Sequence, residues 1–166
     1  MALHLKRLSP TDGDDVYALT QAMPSEENGF YNSANGLSRE AFCAWLTQQH
    51  DMSQGIGLAE GWVPQTIYWL YDGDQPVGMC KLRTRLTEAL LNGGGNIGYA
   101  IASSARGKGY GKEQLRLVLE EAKKAGLDKV LITARNYNKA SIGVALANGG
   151  VIARISEDEH FIWITL

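Results

Sequence analysis

The chain has 166 residues, 45% of them hydrophobic and 20% charged, a size and balance that suit one globular domain burying about 70% of its unfolded surface. With 16 Lys and Arg against 18 Asp and Glu, the formal net charge is -2, and the cationic surplus needed for a general nucleic-acid footprint is missing. Two cysteines, Cys43 and Cys80, are too few for a disulfide framework, and neither they nor His4, His50 and His160 have metal-ligand spacing, so no metal is expected. No apolar run approaches the ~18 residues of a membrane span, and the first residues lack the basic flank and apolar core of a signal peptide. The expectation is a cytoplasmic protein with no membrane partner.

In chain order, Leu3 to Leu8 alternate leucines with His4 and Lys6 and read as a half-buried strand that Pro10 stops. Thr11 is placed to cap a helix running to Ala22, with Asp12, Asp14 and Asp15 near its positive end. Met23 to Leu37, rich in Pro, Ser, Asn and Gly, reads as a loop. Ser38 caps a second helix ending near His50, on which Phe42, Trp45 and Leu46 share a face. Another loop, Gln54 to Gln65, precedes the β-rich run Thr66 to Tyr71, the turn Asp72-Gly73-Asp74 and a returning strand from Pro76 to Leu86. Arg83 and Arg85 alternate with Leu82 and Leu86 there, which makes them candidates to face a cleft, with solvent the default for their side chains.

Gly93-Gly94-Gly95 breaks the chain before a strand from Asn96 to Ala102. The helix from Lys112 to Ala125 carries Leu115, Val118, Leu119 and Ala122 on one face, and Gly126 closes it. Lys129 to Ala134 is a short apolar strand, about 26 residues on, a spacing that suits a right-handed β-α-β crossover. A helix from Lys139 to Ala147, the stop Asn148-Gly149-Gly150, a strand from Val151 to Ile155, a turn from Ser156 to Glu159 and a strand from Phe161 to Leu166 complete the order β-α-α-β-β-β-α-β-α-β-β. This is an α/β (α+β) chain: a mixed, mostly antiparallel sheet with helices on it.

The chemistry concentrates in Arg106-Gly107-Lys108-Gly109-Tyr110-Gly111, between strand and helix. Glycines let the backbone approach a ligand, the first amides of a helix have no internal partner, and Arg106, Lys108 and Lys112 add positive charge, so a phosphate or pyrophosphate is the expected ligand. A Walker loop needs Ser or Thr after Gly-Lys, and Gly109 stands there instead. The dinucleotide fingerprint fails because Gly111 comes one residue too early, and because it expects the strand that opens the fold.

What remains is Arg-x-x-Gly-x-Gly, met by Arg106, Gly109 and Gly111, with Ile97-Gly98-Tyr99 before it and Asn138-Lys139-Ala140-Ser141 after the next strand. With these residues the chain resembles the GNAT superfamily of acyl-CoA N-acyltransferases, most strongly from Asn96 to Gly150. Val63-Pro64-Gln65-Thr66, Tyr68-Trp69, Gly78, Leu82-Arg83 and Gly94-Gly95 are similar to a bacterial branch of predicted acetyltransferases. The resemblance implies one GNAT domain over residues 1–166, with a β-α-β cofactor-binding core and helices on both faces of the sheet. It implies acetyl-CoA as co-substrate, its pyrophosphate on the amides of Arg106 to Gly111 and Lys112, and its pantetheine arm beside the backbone of Ala100, Ile101 and Ala102. One amide there would polarise the thioester carbonyl as an oxyanion forms. Asn138 and Ser141 match positions on the other side of the arm. The implied reaction is direct attack by the neutral amine of a small molecule or peptide, and a homodimer is compatible with it.

Two positions depart from the family. Asn96 stands where many members carry an acidic base, and Ala145 where many carry a tyrosine that protonates the leaving thiolate. Substitutes are Glu27, with Glu26 beside it, and the tyrosines Tyr99 and Tyr137. Glu26 and Glu27, with Phe30 and Tyr31, would border an acceptor site for a cationic amine. Because of the two departures, a non-catalytic acyl-CoA-binding or regulatory module is the alternative to an acetyltransferase, and a nucleotide-binding protein using the same loop is a third class.

Overall fold

The computed structural model describes residues 2–166. Its elements are β1 (Leu3–Arg7), α1 (Asp14–Ala22), β2 (Glu26–Glu27), β3 (Phe30–Tyr31), α2 (Arg39–Ser53), β4 (Gln65–Asp72), β5 (Gln75–Arg83), α3 (Glu88–Leu91), β6 (Ile97–Ile101), α4 (Tyr110–Lys124), β7 (Lys129–Arg135), α5 (Lys139–Ala147), β8 (Val151–Ile155) and β9 (Glu159–Thr165), with a 3-10 turn at Ser103–Ala105. The order agrees with the sequence pattern, with two short additions.

The strands form two main sheets, β1-β4-β5-β6 and β7-β9-β8, in which every hydrogen-bonded pair is antiparallel. Between β6 and β7 no strand ladder runs. Asn96 holds them together at one point: its backbone N–H donates to the Leu131 carbonyl at 2.9 Å, and its side-chain oxygen accepts from the Leu131 N–H at 2.8 Å. The other half of the same amide donates to the Arg83 carbonyl at 2.9 Å, while the Asn96 carbonyl accepts from the Arg83 N–H at 2.7 Å. Beyond this clasp the sheets separate.

Helices cover both faces. On one, α1 and α2 place Val16, Leu19, Phe42, Trp45 and Leu46 against Trp69 and Met79. On the other, Leu115, Val118 and Ala122 of α4 pack at once on Cys80 and Ile97 of the first sheet and on Val130 and Ile162 of the second. Leu115 and Val118 each contribute about 1.5–3 kcal/mol when fully buried and Ala122 about 1, so the stripe on α4 joins what the open ladder does not.

Four local expectations change. Thr11 is not the cap of α1: Gly13 occupies that position without a side-chain bond, and Thr11 turns to Ser9. Asp12 instead is buried, accepting from Trp69 Nε1 at 2.8 Å and from the Ser9 N–H at 2.9 Å, so an indole is satisfied at the cost of the cap. The supposed loop 23–37 contains the β2-β3 hairpin, turning through Asn28 and Gly29 at φ 54° and 87°. The strand expected to reach Leu86 ends at Arg83, and Thr87 caps the short α3, its hydroxyl accepting from the Leu90 N–H. Finally, α2 extends to Ser53, and α4 begins at Tyr110 rather than Lys112.

Candidate active site

The separation of β6 from β7 opens a cavity of about 760 Å³ that reaches from the glycine run to the β2-β3 hairpin. One wall is β6, and the opposite wall is β7 with the start of α5.

At the first end, Gly107 and Gly109 have φ 79° and 80°, a left-handed conformation that glycine adopts without strain. A methyl group built on either would meet nothing within 4 Å. Gly109 is the N-cap of α4 and no side chain bonds its first turn, so the amides there, with the positive end of the helix dipole, face open space. Tyr110 contributes only backbone: its ring is buried with Leu70 and Val77, and its hydroxyl donates to Asp72. Arg106, Gly107, Gly109, Gly111 and Lys112 line the cavity. Lys108 is exposed beside them.

The β6 wall alternates. The Ala102 N–H donates to the Val77 carbonyl at 2.9 Å, and the period of two in an antiparallel ladder turns the polar groups of Ala100 and Gly98 to β5 as well. Those of Ile101 and Tyr99 consequently face the open edge, and Arg106 Nε donates to the Ile101 carbonyl there at 3.1 Å. This corrects the expectation that Ala100, Ile101 and Ala102 all offer their backbone: Ala100 and Ala102 are committed to β5, and Tyr99 joins Ile101. Across the cavity, Asn138 caps α5, its side-chain oxygen accepting from the Ser141 N–H at 3.2 Å. The Tyr99 hydroxyl donates to the Ser141 carbonyl at 3.0 Å and lies 2.8 Å from its Oγ, which fastens the two walls to each other.

The second end is bordered by the hairpin. Glu27 forms an ion pair with Arg106, linking the hairpin to the glycine run. Lys81 and Arg83, successive same-face residues of β5, both enter the cavity. The Lys81 ammonium lies 4.7 Å from the Phe30 ring centre and donates to the Tyr31 carbonyl; burial, reinforced by the neighbouring Arg83, lowers its pKa to about 8. Burial also lowers that of Arg83, which donates to the Gly95 carbonyl at 3.2 Å. Arg135 and Glu159 complete this end. Lys81, Arg135 and Glu159 were not among the sequence candidates, and Arg83 faces the cleft rather than its default, solvent. The alternation on β5 held the available signal, because Leu82 is buried on the α4 side and its neighbours must point to the other.

Of the catalytic candidates, Glu27 and Tyr99 line the cavity and Tyr137 does not: it is 70% exposed in a separate surface hollow with Glu26. Burial pushes the Tyr99 phenol up to about 12, against a smaller downward pull from Ser141. Ala145 is fully buried among α4 and β9 residues, and Val144 is the residue of that turn that reaches the cavity. Among the described residues, no group of three or more His, Cys, Asp or Glu side chains is placed to hold a metal, and no helix is long and apolar enough to cross a membrane.

An opened sheet, a glycine turn and an uncapped helix at its mouth make a site for an extended ligand with a phosphate or pyrophosphate end. The family model of the acetyltransferase (GNAT) domain matches residues 2–151, and the chain belongs to that family. It is therefore an acetyltransferase of that family. No curated protein matches. Among solved structures, the ribosomal L7/L12 alpha-N-protein acetyltransferase in complex with coenzyme A is 15% identical, over 99% of this chain and 94% of that one, with a TM-score of 0.74. The ribosomal-protein-S5-alanine acetyltransferase of Vibrio fischeri is 14% identical over 99% and 93%, with a TM-score of 0.71. The N-acetyltransferase PseH of Campylobacter jejuni, in complex with acetyl coenzyme A, is 10% identical over 98% of both chains, with a TM-score of 0.63. At such identities the likeness is one of fold.

Proposed function

We propose that residues 1–166 work as one catalytic unit in the cytoplasm, holding acetyl-CoA in the cavity between β6 and β7 and passing its acetyl group to an amine of a small molecule or peptide. The free thiols of Cys43 and Cys80 suit a reducing compartment. The observation that carries the donor assignment is the open, uncapped start of α4 at Gly109, where a pyrophosphate meets unpaired amides and no side chain.

The residues present fit the donor. The amides of Gly107 to Lys112 would take the pyrophosphate, with Arg106, Lys108 and Lys112 adding charge. The polar edge of Tyr99 and Ile101 would pair with the pantetheine arm, and Asn138 and Ser141 would border it from α5. Bound there, acetyl-CoA supplies a thioester that a neutral amine attacks directly, with the thiol as leaving group. An N–H on the open edge of β6 would be available to the thioester oxygen and would stabilise the charge that develops there, a contribution commonly of several kcal/mol. Tyr99 is a poor proton donor: its pKa of about 12 lies well above the ~8.5 of a thiol. With Asn96 and Ala145 committed to the fold, the chain's contribution rests on positioning the reactants and on that polarising amide.

The test is Gly109→Val. A β-branched side chain at φ 80° is strained by about 1–2 kcal/mol, and it projects into the space a pyrophosphate would fill. The expected outcome is a folded variant whose melting temperature no longer rises with acetyl-CoA, whereas the parent's rises with acetyl-CoA and not with ATP or NAD. Undiminished acetyl-CoA binding by the variant would defeat the assignment.

A further inference from the structure

We propose that the acceptor is a small amine that also carries a carboxylate or phosphate, and that Lys81 and Arg83 hold this anionic group. The proposal rests on the acetyl-transfer reading above and names the substrate class for its second end.

Two residues apart on β5, the two side chains leave the strand on the same face, their Cα atoms roughly 7 Å apart. Both are half-buried in the cavity, and neither has a carboxylate within 4.0 Å among the described residues. Burying one cation without a counter-ion is costly, and placing a second beside it adds repulsion. The mutual effect is visible in the Lys81 ammonium, which burial and Arg83 together hold near 8.

Their structural duties do not account for this cost. Lys81 engages the Tyr31 carbonyl and Arg83 the Gly95 carbonyl, each with one N–H. Each acceptor is a neutral carbonyl, which asks for a donor and not for a positive charge. What remains is most of a guanidinium fork beside an ammonium, the geometry that takes a carboxylate or phosphate through two parallel bonds. The surroundings agree. Arg135 lines the same end, Glu159 is its one carboxylate outside an ion pair, and Glu27 is neutralised by Arg106. Positive charge is therefore in excess. The expectation of a cationic amine bordered by Glu26 and Glu27 is narrowed to an amine with an anionic group, since Glu26 turns back to the Gly29 N–H and Glu27 is paired with Arg106.

The pair is also distinct from the donor's own phosphate site. Arg83 is level with Asn96 and Lys81 with Gly98, five and three residues back from Ile101, or about 17 and 10 Å along β6 on the side away from the glycine run.

The experiment is calorimetric titration of the coenzyme A-loaded protein with matched amines: γ-aminobutyrate against its amide, and O-phosphoethanolamine against ethanolamine, with spermidine as a purely cationic control. The expected result is at least tenfold tighter binding of an anionic member than of its neutral partner. That preference should vanish in Lys81→Gln and Arg83→Gln while coenzyme A affinity stays within twofold. The two pairs tell a carboxylate site from a phosphate site. Equal response to both members of each pair, including no response to any, overturns the proposal, as does preference for spermidine or a preference that survives in both variants. If coenzyme A itself does not bind, the donor reading falls, and the same pairs titrated into the unloaded protein still decide the acceptor claim.

Discussion

Single residues here are held to their roles by what they touch. Gln114 is fully buried on α4, and neither end of its amide has a hydrogen-bond partner. Its Nε2 occupies the space beside Gly78 where any side chain would need to go, 2.9 Å from the position of a Cβ there. An unsatisfied buried amide is costly, so Gln114→Met, which keeps the volume, should raise unfolding stability by about 1–2 kcal/mol in urea titration. Lys81 gives a pH signature. Its folded-state pKa of about 8 lies below the 10.5 of the free group, so the unfolded chain binds the proton more tightly. Relative to Lys81→Met, the parent should therefore be handicapped below pH 8 and should recover as pH rises from 8 to 10.5. With partial solvent access allowed for, the recovery should amount to about 1–2 kcal/mol, and a flat difference across that window would show that the ammonium is not strained. The Lys81 orientation was hard to read from sequence for a physical reason: Pro76 to Cys80 are all buried, so the polar alternation on β5 is confined to Lys81, Leu82 and Arg83, too short a run to show which face meets a cavity.

At the scale of elements, the glycine run was the most legible part of the chain, because its function lies in local backbone geometry: glycines at positive φ, a strand before and an uncapped helix after. The β2-β3 hairpin carried a signal too, in Asn28-Gly29. Strands of two residues have no periodicity to detect, however, and the hairpin is placed by contacts far away in sequence, through Arg106 and Lys81. Its link to the glycine run can be tested with Glu27→Gln. An exposed ion pair contributes little, so stability should change by less than about 1 kcal/mol. Arg106, freed from the carboxylate, should bind the donor about two- to fivefold more tightly in titration, with kcat nearly unchanged. A fall in kcat of about 10²-fold or more would instead identify Glu27 as a general base.

For the molecule as a whole, the fold class was readable from the order of elements, and the opening of the sheet was not. A point at which the two sheets stay joined is Asn96, where the sequence shows only a missing acid. The structure gives the asparagine another duty: it supplies both a donor and an acceptor at the junction, which a carboxylate does not. Asn96→Asp should accordingly destabilise the protein by about 2–4 kcal/mol, since a buried charge would face the Arg83 carbonyl. A variant of unchanged stability and raised turnover would mean that the position is a vacated catalytic site.

The cavity between the sheets has a thermodynamic consequence. Until substrates enter, the cavity of about 760 Å³ is filled with solvent. Two substrates that fill it release most of that solvent from walls that include Phe30, Leu90, Ile97 and Val144. Their binding should lower the heat capacity and become more exothermic as temperature rises, so the enthalpy of loading this enzyme is a property of its hydration as much as of its hydrogen bonds.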